Sequence, residues 1–189
     1  MIWYPRPYGL IVMRSRLPVL MTFLVLVLIA PSVATGGKSH SEQSHFSAED
    51  SGVQRPVAIS EDVLAILRQD QAVQSVLENE SIRPENIPPS WFSASEVHLT
   101  ATKRVDLLVV GEPPVSGGNT AMFWVFRARD PGHALVLTIV AHDLILKNTR
   151  SKGYRDIEVH SMTAVRLSTA VYRFDGQKYS HYRQSSRDL

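Results

Sequence analysis

The chain has no cysteine. Disulfides, a thiol nucleophile and thiolate metal sites are therefore excluded. Lipid attachment through a signal-site cysteine is excluded too. Other signatures are missing as well. There is no Gly-x-Ser-x-Gly elbow, no phosphate loop ending in Gly-Lys-Ser/Thr and no His-Glu-x-x-His pair, so no motif supports acyl transfer, nucleotide binding or zinc hydrolysis. Gly117-Gly118 precedes a strand pattern rather than a helix, and reads as a plain loop. Serines such as Ser116, Ser161 and Ser168 have no catalytic context, and no repeat of fixed period is present. Paired acids for sugar hydrolysis would be distant in the chain, and no motif points to them.

What is present begins with an export signal. Met1 to Arg16 carries Arg6, Arg14 and Arg16 and no acid, and an apolar run from Leu17 to Ala30 follows. Pro31-Ser32-Val33-Ala34 then offers small residues before a cut after Ala34. The apolar core is shorter than the roughly 20 residues of a spanning helix, which favours cleavage over retention as an anchor. Met13-Arg14-Ser15-Arg16 would make a shorter leader, so either Met1 or Met13 serves as a start. The expected localisation is secreted or periplasmic, with no membrane span after signal cleavage.

Export changes the charge argument. The chain has 20 basic and 18 acidic residues, and three of the basic ones lie in the leader, leaving 17 against 18. The sequence pI near 9.0 is therefore no sign of nucleic-acid binding. The charge is uneven: residues 35–144 carry 8 basic and 14 acidic groups, residues 145–189 carry 9 and 4. The C-terminal part is the positive end.

Residues 35–56 are polar and turn-rich, with Phe46 the one aromatic, and are expected to be a disordered linker. His40 and His45 lie in it. Ser60 as N-cap, Glu61 and Asp62 behind it, and Val63, Leu64, Leu67, Val73, Val76 and Leu77 at helical spacing predict a helical segment broken near Arg68–Gln71. Pro84, Pro88 and Pro89 mark an irregular crossing, and Trp91-Phe92 is expected to anchor it to the core. Strand patterns follow at Ser95–Ala101, Val105–Gly111, 154–159, 163–174 and 177–182. Asp175-Gly176 between two arms is a hairpin signal. The densest apolar run, Asn119 to Leu146, reads as a central hairpin turning at Asp130-Pro131-Gly132. Met122, Trp124 and Phe126 point one way, Phe123 and Val125 the other, so both faces are buried and Trp124 is core. Its second arm is long enough to bend near His142-Asp143.

The expected architecture is α+β: an N-terminal helical segment packed on a six- to seven-stranded, mainly antiparallel sheet. The expected divisions are a signal peptide at 1–34, the linker at 35–56, a single α+β domain at 57–182 and a flexible tail at 183–189.

Two constellations carry candidate chemistry. The first is a basic, tyrosine-containing surface of Lys147, Arg150, Lys152, Tyr154, Arg155, Tyr172, Lys178 and Tyr179. Export argues against nucleic acid here, so an anionic envelope polymer or an acidic protein is the expected partner. The second is His142, Asp156, Glu158 and His160, where alternation puts the last three on one strand face. They would serve a metal- or carboxylate-dependent hydrolase. An exposed face of an antiparallel sheet carries such residues without a metal as a rule. The expected function is a non-enzymatic exported binding protein without a cofactor, the hydrolase being the alternative. Functional groups are sought at the hairpin ends: the Glu112–Gly118 loop, the Asp130–His133 turn and the His142-Asp143 bend.

Several segments together resemble a group of small exported bacterial proteins without an assigned activity. They are Trp91-Phe92 with Ser95-Glu96-Val97, Asp106–Gly111, Phe123–Phe126, Ala141–Leu144, Gly153–Ile157 and Tyr172–Tyr179. The resemblance covers about residues 90–182 and implies export and a β-rich C-terminal half. Gly153-Tyr154-Arg155-Asp156-Ile157 is also similar to one arm of an FG-GAP-type repeat. The acidic calcium loop and the repetition are missing, so neither calcium nor a propeller is implied.

Overall fold

The central hairpin does not continue as one arm past Ala141. In a computed structural model, which describes residues 42–49 and 52–189, strand β5 (His133–Ala141) ends there and β6 (Asp143–Ser151) begins after the single residue His142. The chain changes sheets at that residue. Among the described residues the protein is mostly β, with nine strands in two antiparallel sheets and only two short α-helices. This corrects the expected α+β architecture with one six- to seven-stranded sheet. Alternation reports a strand and its two faces, but not which sheet it joins.

The first sheet has the order β2 (Phe92–Val97), β3 (Asp106–Gly111), β4 (Ala121–Ala128) and β5. The second has β1 (His45–Ser47), β6, β7 (Tyr154–Met162), β8 (Arg166–Phe174) and β9 (Tyr179–Asp188). Apart from β1, each strand pairs with its sequence neighbour within its sheet. The result is a meander folded over on itself at His142, and such strand-switching corners are how packed sheets share one chain.

The parity read from β4 sets the layers. Phe123 and Val125 join Leu108, Val110, Leu144, Leu146, Ile157, Val159 and Phe174 in a core between the sheets. Met122, Trp124 and Phe126 face the other way and meet α1 (Glu61–Leu67) and α2 (Gln71–Glu80) through Val63, Leu67, Val73 and Leu77. The first sheet is thus covered on both sides, which explains why every residue of β3 is buried. Trp91 and Phe92 are buried in the helix-side core, and Phe92 meets Trp124 edge-on at 5.7 Å between centroids.

The two helices are separated as the polar run at Arg68 predicts. Asp70 caps α2, its carboxylate accepting from the Ala72 N–H at 2.9 Å. The same side chain accepts from the Trp124 indole at 2.9 Å, which ties the helix start to the sheet.

Two segments extend the β structure beyond the expected domain. His45–Ser47, inside the expected linker, pairs with β6 as β1, and Phe46 is fully buried in the inter-sheet core. β9 continues through the expected tail to Asp188. The leader, residues 1–34, lies outside the described residues, as does His40. Among the described residues no helix is long and apolar enough to cross a membrane.

Candidate anion-binding end of the sandwich

Strand order dictates which connections share an end. In an antiparallel meander, alternate loops lie together. The β2–β3 loop (98–105), the β4–β5 turn (129–132), the β6–β7 turn at Lys152-Gly153 and the β8–β9 turn (175–178) therefore fall at one end of their sheets. Contacts between the sheets show that these ends coincide. The Arg127 guanidinium lies 5.8 Å from the centre of the Phe174 ring. The Arg150 Nη1 donates to the Leu99 carbonyl at 2.8 Å, and the Arg155 backbone N–H donates to the same carbonyl at 2.7 Å.

This end is basic. Lys103 and Arg104 come from the first loop, Arg127 and Arg129 flank the second, Arg150, Lys152 and Arg155 flank the third, and Lys178 closes the fourth. Among the described residues, none of Lys103, Arg104, Arg127, Arg129, Arg150, Lys152 or Lys178 forms an ion pair with a carboxylate. Arg155 alone of the set faces one, Glu42 at 3.6 Å. Two of the local acids are committed to backbone, while Asp130 lies exposed in the β4–β5 turn. Asp106 is buried and accepts from the Leu99 and Ala128 N–H groups at 2.9 and 2.8 Å. Asp175 accepts from the Gln177 and Lys178 N–H groups and from Ser180, and these bonds hold its carboxyl down at about 2. Arg104, Val105, Ala128, Arg129 and Asp130 line an open groove of about 280 Å³ at this end. A larger groove of about 340 Å³ lies at the β2 edge, lined by Glu42, Gln43, Arg55, Val57, Ser95, Glu96 and His98. Its mixed charges give it no comparable electrostatic character.

The expected contact residues divide into four kinds. Arg150, Lys152 and Lys178 are exposed at the basic end. Arg155 and Tyr179 are buried pieces of the scaffold. The Arg155 guanidinium donates to the Leu146 and Lys147 carbonyls, and burial lowers its pKa. The Tyr179 hydroxyl donates to the Arg155 carbonyl at 2.7 Å, and burial raises the phenol well above its usual range. Tyr154 stacks on Phe174 at 4.0 Å and Tyr172 meets His181 edge-on at 5.6 Å, both half-buried. Lys147 is neutralised by Glu158 at 2.8 Å. Lys103, Arg104, Arg127 and Arg129 were absent from the sequence-derived set. Each looks like an ordinary loop or strand-end residue until the meander puts the connections beside one another.

The four metal-ligand candidates do not converge. Asp156 is buried, accepts from Thr149 and Ser151 hydroxyls at 2.8 and 2.6 Å and faces Arg173 at 3.7 Å. Glu158 is held by Lys147 and touches His160 at 3.2 Å. The Lys147 hydrogen bond and, less strongly, that of His160 outweigh burial and lower the Glu158 pKa. His142 turns to Asp143 at 3.0 Å and to Glu49 at 3.2 Å. The Glu49 approach is a contact of charges, since Nε2 makes no aligned hydrogen bond. Among the described residues no group of three or more His, Cys, Asp or Glu is arranged to hold a metal ion.

The histidines gather instead around Asp143. His45 from β1 lies 3.0 Å from one of its oxygens, and His142 and His160 lie 3.0 and 3.6 Å from the other. Register explains the meeting, because Asp143 sits opposite both Ser47 and His160. Burial opposes ionisation of Asp143, but hydrogen bonds from His142, His45 and Ser47 together outweigh it and lower the pKa. The hydrogen bond with Asp143 correspondingly raises that of His142 against burial. This cluster fastens β1 to the corner where the chain changes sheets.

No family model matches the chain, and no curated protein or solved structure is detectably similar to it.

Proposed function

We propose that the protein is exported and acts as a non-enzymatic binding protein, its contact surface being the basic loop end. The observation that carries this reading is the set of cations from both sheets that have no carboxylate partner among the described residues. Exposed charges on a protein of balanced composition are ordinarily interspersed with the opposite sign. Here loops distant in sequence bring many cations to one end, while Asp106 and Asp175 are taken up by backbone N–H groups, leaving Asp130 as the exposed acid of the turns. Such a field attracts an extended polyanion and raises its local concentration. The partner is an anionic polymer of the cell envelope or an acidic protein, and the location is secreted or periplasmic. The leader motivates the export part of the reading.

Fluorescence anisotropy with labelled poly-L-glutamate tests the binding claim. Saturable binding that weakens steadily as salt rises is expected, because exposed charges are screened within about 8–10 Å at 0.1–0.15 M ionic strength. No binding at low ionic strength would overturn it. N-terminal sequencing of the exported protein tests the leader, with Thr35 expected as the first residue.

A further inference from the structure

The opposite end of the sandwich holds a cleft of another character. The β3–β4 loop (112–120) is the next connection of the meander after the β2–β3 loop, so it lies at the other end of its sheet from the basic turns. The end of β1 reaches the same place, because the Ala48 N–H donates to the carbonyl of His142, at the corner between the sheets, at 2.8 Å. Gly52 closes one wall. At φ +57° it lies so near β3 that an added Cβ would come 3.1 Å from the Val110 Cγ1. Between these pieces is a cleft of about 160 Å³, whose lining includes Ser47, Val110, Glu112, Ser116, Thr120 and Ala121. No lysine, arginine or histidine lines it.

Glu112 is the one charged group in that lining, and it is half-buried. Its backbone N–H donates to the Trp91 carbonyl at 2.8 Å, which fixes the residue at the end of β3. Its carboxylate forms no ion pair among the described residues. Burial raises the pKa of this carboxyl, with no cation opposing it. A desolvated carboxylate without a counter-charge costs stability, and such groups cluster where proteins bind or react. We propose that this cleft binds a small primary ammonium group carried on a short apolar stem. The Glu112 carboxylate meets the charge through a charge-assisted hydrogen bond. The Ser116 hydroxyl accepts the Met122 N–H at 2.9 Å and keeps its second lone pair for another ammonium proton. Val110 and Ala121 give the stem an apolar floor. Size limits the ligand, since pockets for drug-sized molecules begin at about 300 Å³. The ligand is opposite in charge to the partner of the basic end, so this site stands whether or not that end takes a polyanion.

The probe is n-butylammonium, with n-butanol as its uncharged counterpart. In amide NMR titrations at neutral pH, the signals of Gly117, Gly118 and Thr120 should shift and saturate with a Kd on the order of millimolar. n-Butanol should shift them far less. Glu112→Gln keeps the shape and removes the charge. It should weaken binding on the order of tenfold, the worth of a hydrogen bond to a charged group. Glu85→Gln makes the same change in charge at an exposed residue outside the cleft, and should leave binding as it was. Glu112→Gln should also unfold at the same urea concentration as the unaltered protein or a higher one, because the desolvated charge is gone. No saturable shift by about 100 mM probe, equal binding to Glu112→Gln, or equal binding of n-butanol would overturn the inference. A lower unfolding midpoint for Glu112→Gln would show that the carboxylate already serves the fold, and would overturn it equally.

Discussion

Replacing Asp70 by alanine removes two interactions with one change. One carboxylate oxygen caps α2 at Ala72, and the other accepts from the indole of fully buried Trp124. Loss of an N-cap costs about 1 kcal/mol. A buried donor left without an acceptor costs about 1–3 kcal/mol. Asp70→Ala should therefore lower stability by about 2–4 kcal/mol. Two further variants separate the parts. Asp70→Asn has one acceptor oxygen beside an NH2 donor, so it can hold the cap or the indole but not both, and should lose about 1–2 kcal/mol. Asp70→Ser keeps a cap but is too short to reach the indole, so it should lose about 1–3 kcal/mol, the cost of the unpaired indole alone. Equilibrium urea unfolding followed by circular dichroism reads all three, with midpoints compared at constant slope. If Asp70→Ala loses less than about 1 kcal/mol, or if Asp70→Ser is as stable as the unaltered protein, the helix layer is not tied to the sheet through this residue.

Other consequences follow from the same geometry. The His142–Asp143 pair contributes most between the ordinary values of 3.8 and 6.5. The raised His142 pKa means that its share is lost as pH rises through that value, and the lowered Asp143 pKa means loss as pH falls through it. A stability-versus-pH curve should show that shoulder, and Asp143→Asn should flatten it. Phe46→Ala empties a fully buried site between the sheets, and should cost about 3–5 kcal/mol in urea unfolding if β1 belongs to the core. Gly132 has φ +78°, and an added Cβ would lie 2.6 Å from the Asp62 carboxylate that receives the His133 N–H. Gly132→Ala should cost about 1–3 kcal/mol in the same assay.

The strands of the C-terminal half were legible because their alternation is local. Met122, Trp124 and Phe126 against Phe123 and Val125 gave the two buried faces of β4, and Asp175-Gly176 gave the last hairpin. The division into two sheets was not legible. It turns on His142, one residue with no glycine or proline beside it, in an apolar run that reads as a single bent arm. β1 was hidden for a related reason: Phe46 is one aromatic in a polar stretch, and its partners lie about a hundred residues away in sequence. Asp70 was read only as part of a helix break, since the Trp124 indole that gives it a second role is a tertiary neighbour. At the site, composition exposed the basic C-terminal half but assigned Arg155 and Tyr179 to the surface, where the structure buries both. Arg and Tyr have long apolar bodies that pack well while their polar ends find carbonyls. Lys103, Arg104, Arg127 and Arg129 needed the strand order, which alone brings the odd-numbered connections of the meander together.

The central claim is that loops of both sheets form one anion-binding end. Lys103→Glu with Lys178→Glu takes one cation from each sheet, and both are exposed and, among the described residues, form no ion pair. Arg83→Glu with Arg166→Glu makes the same change in net charge away from that end. Two lost attractions and two new repulsions, at about 0.5 kcal/mol each, amount to about 2 kcal/mol, or roughly thirtyfold in affinity. The account predicts that loss for poly-L-glutamate with the first pair and a much smaller one with the second, both variants remaining folded. Equal weakening by the two pairs would mean that only net charge is felt, and would contradict a localised binding end.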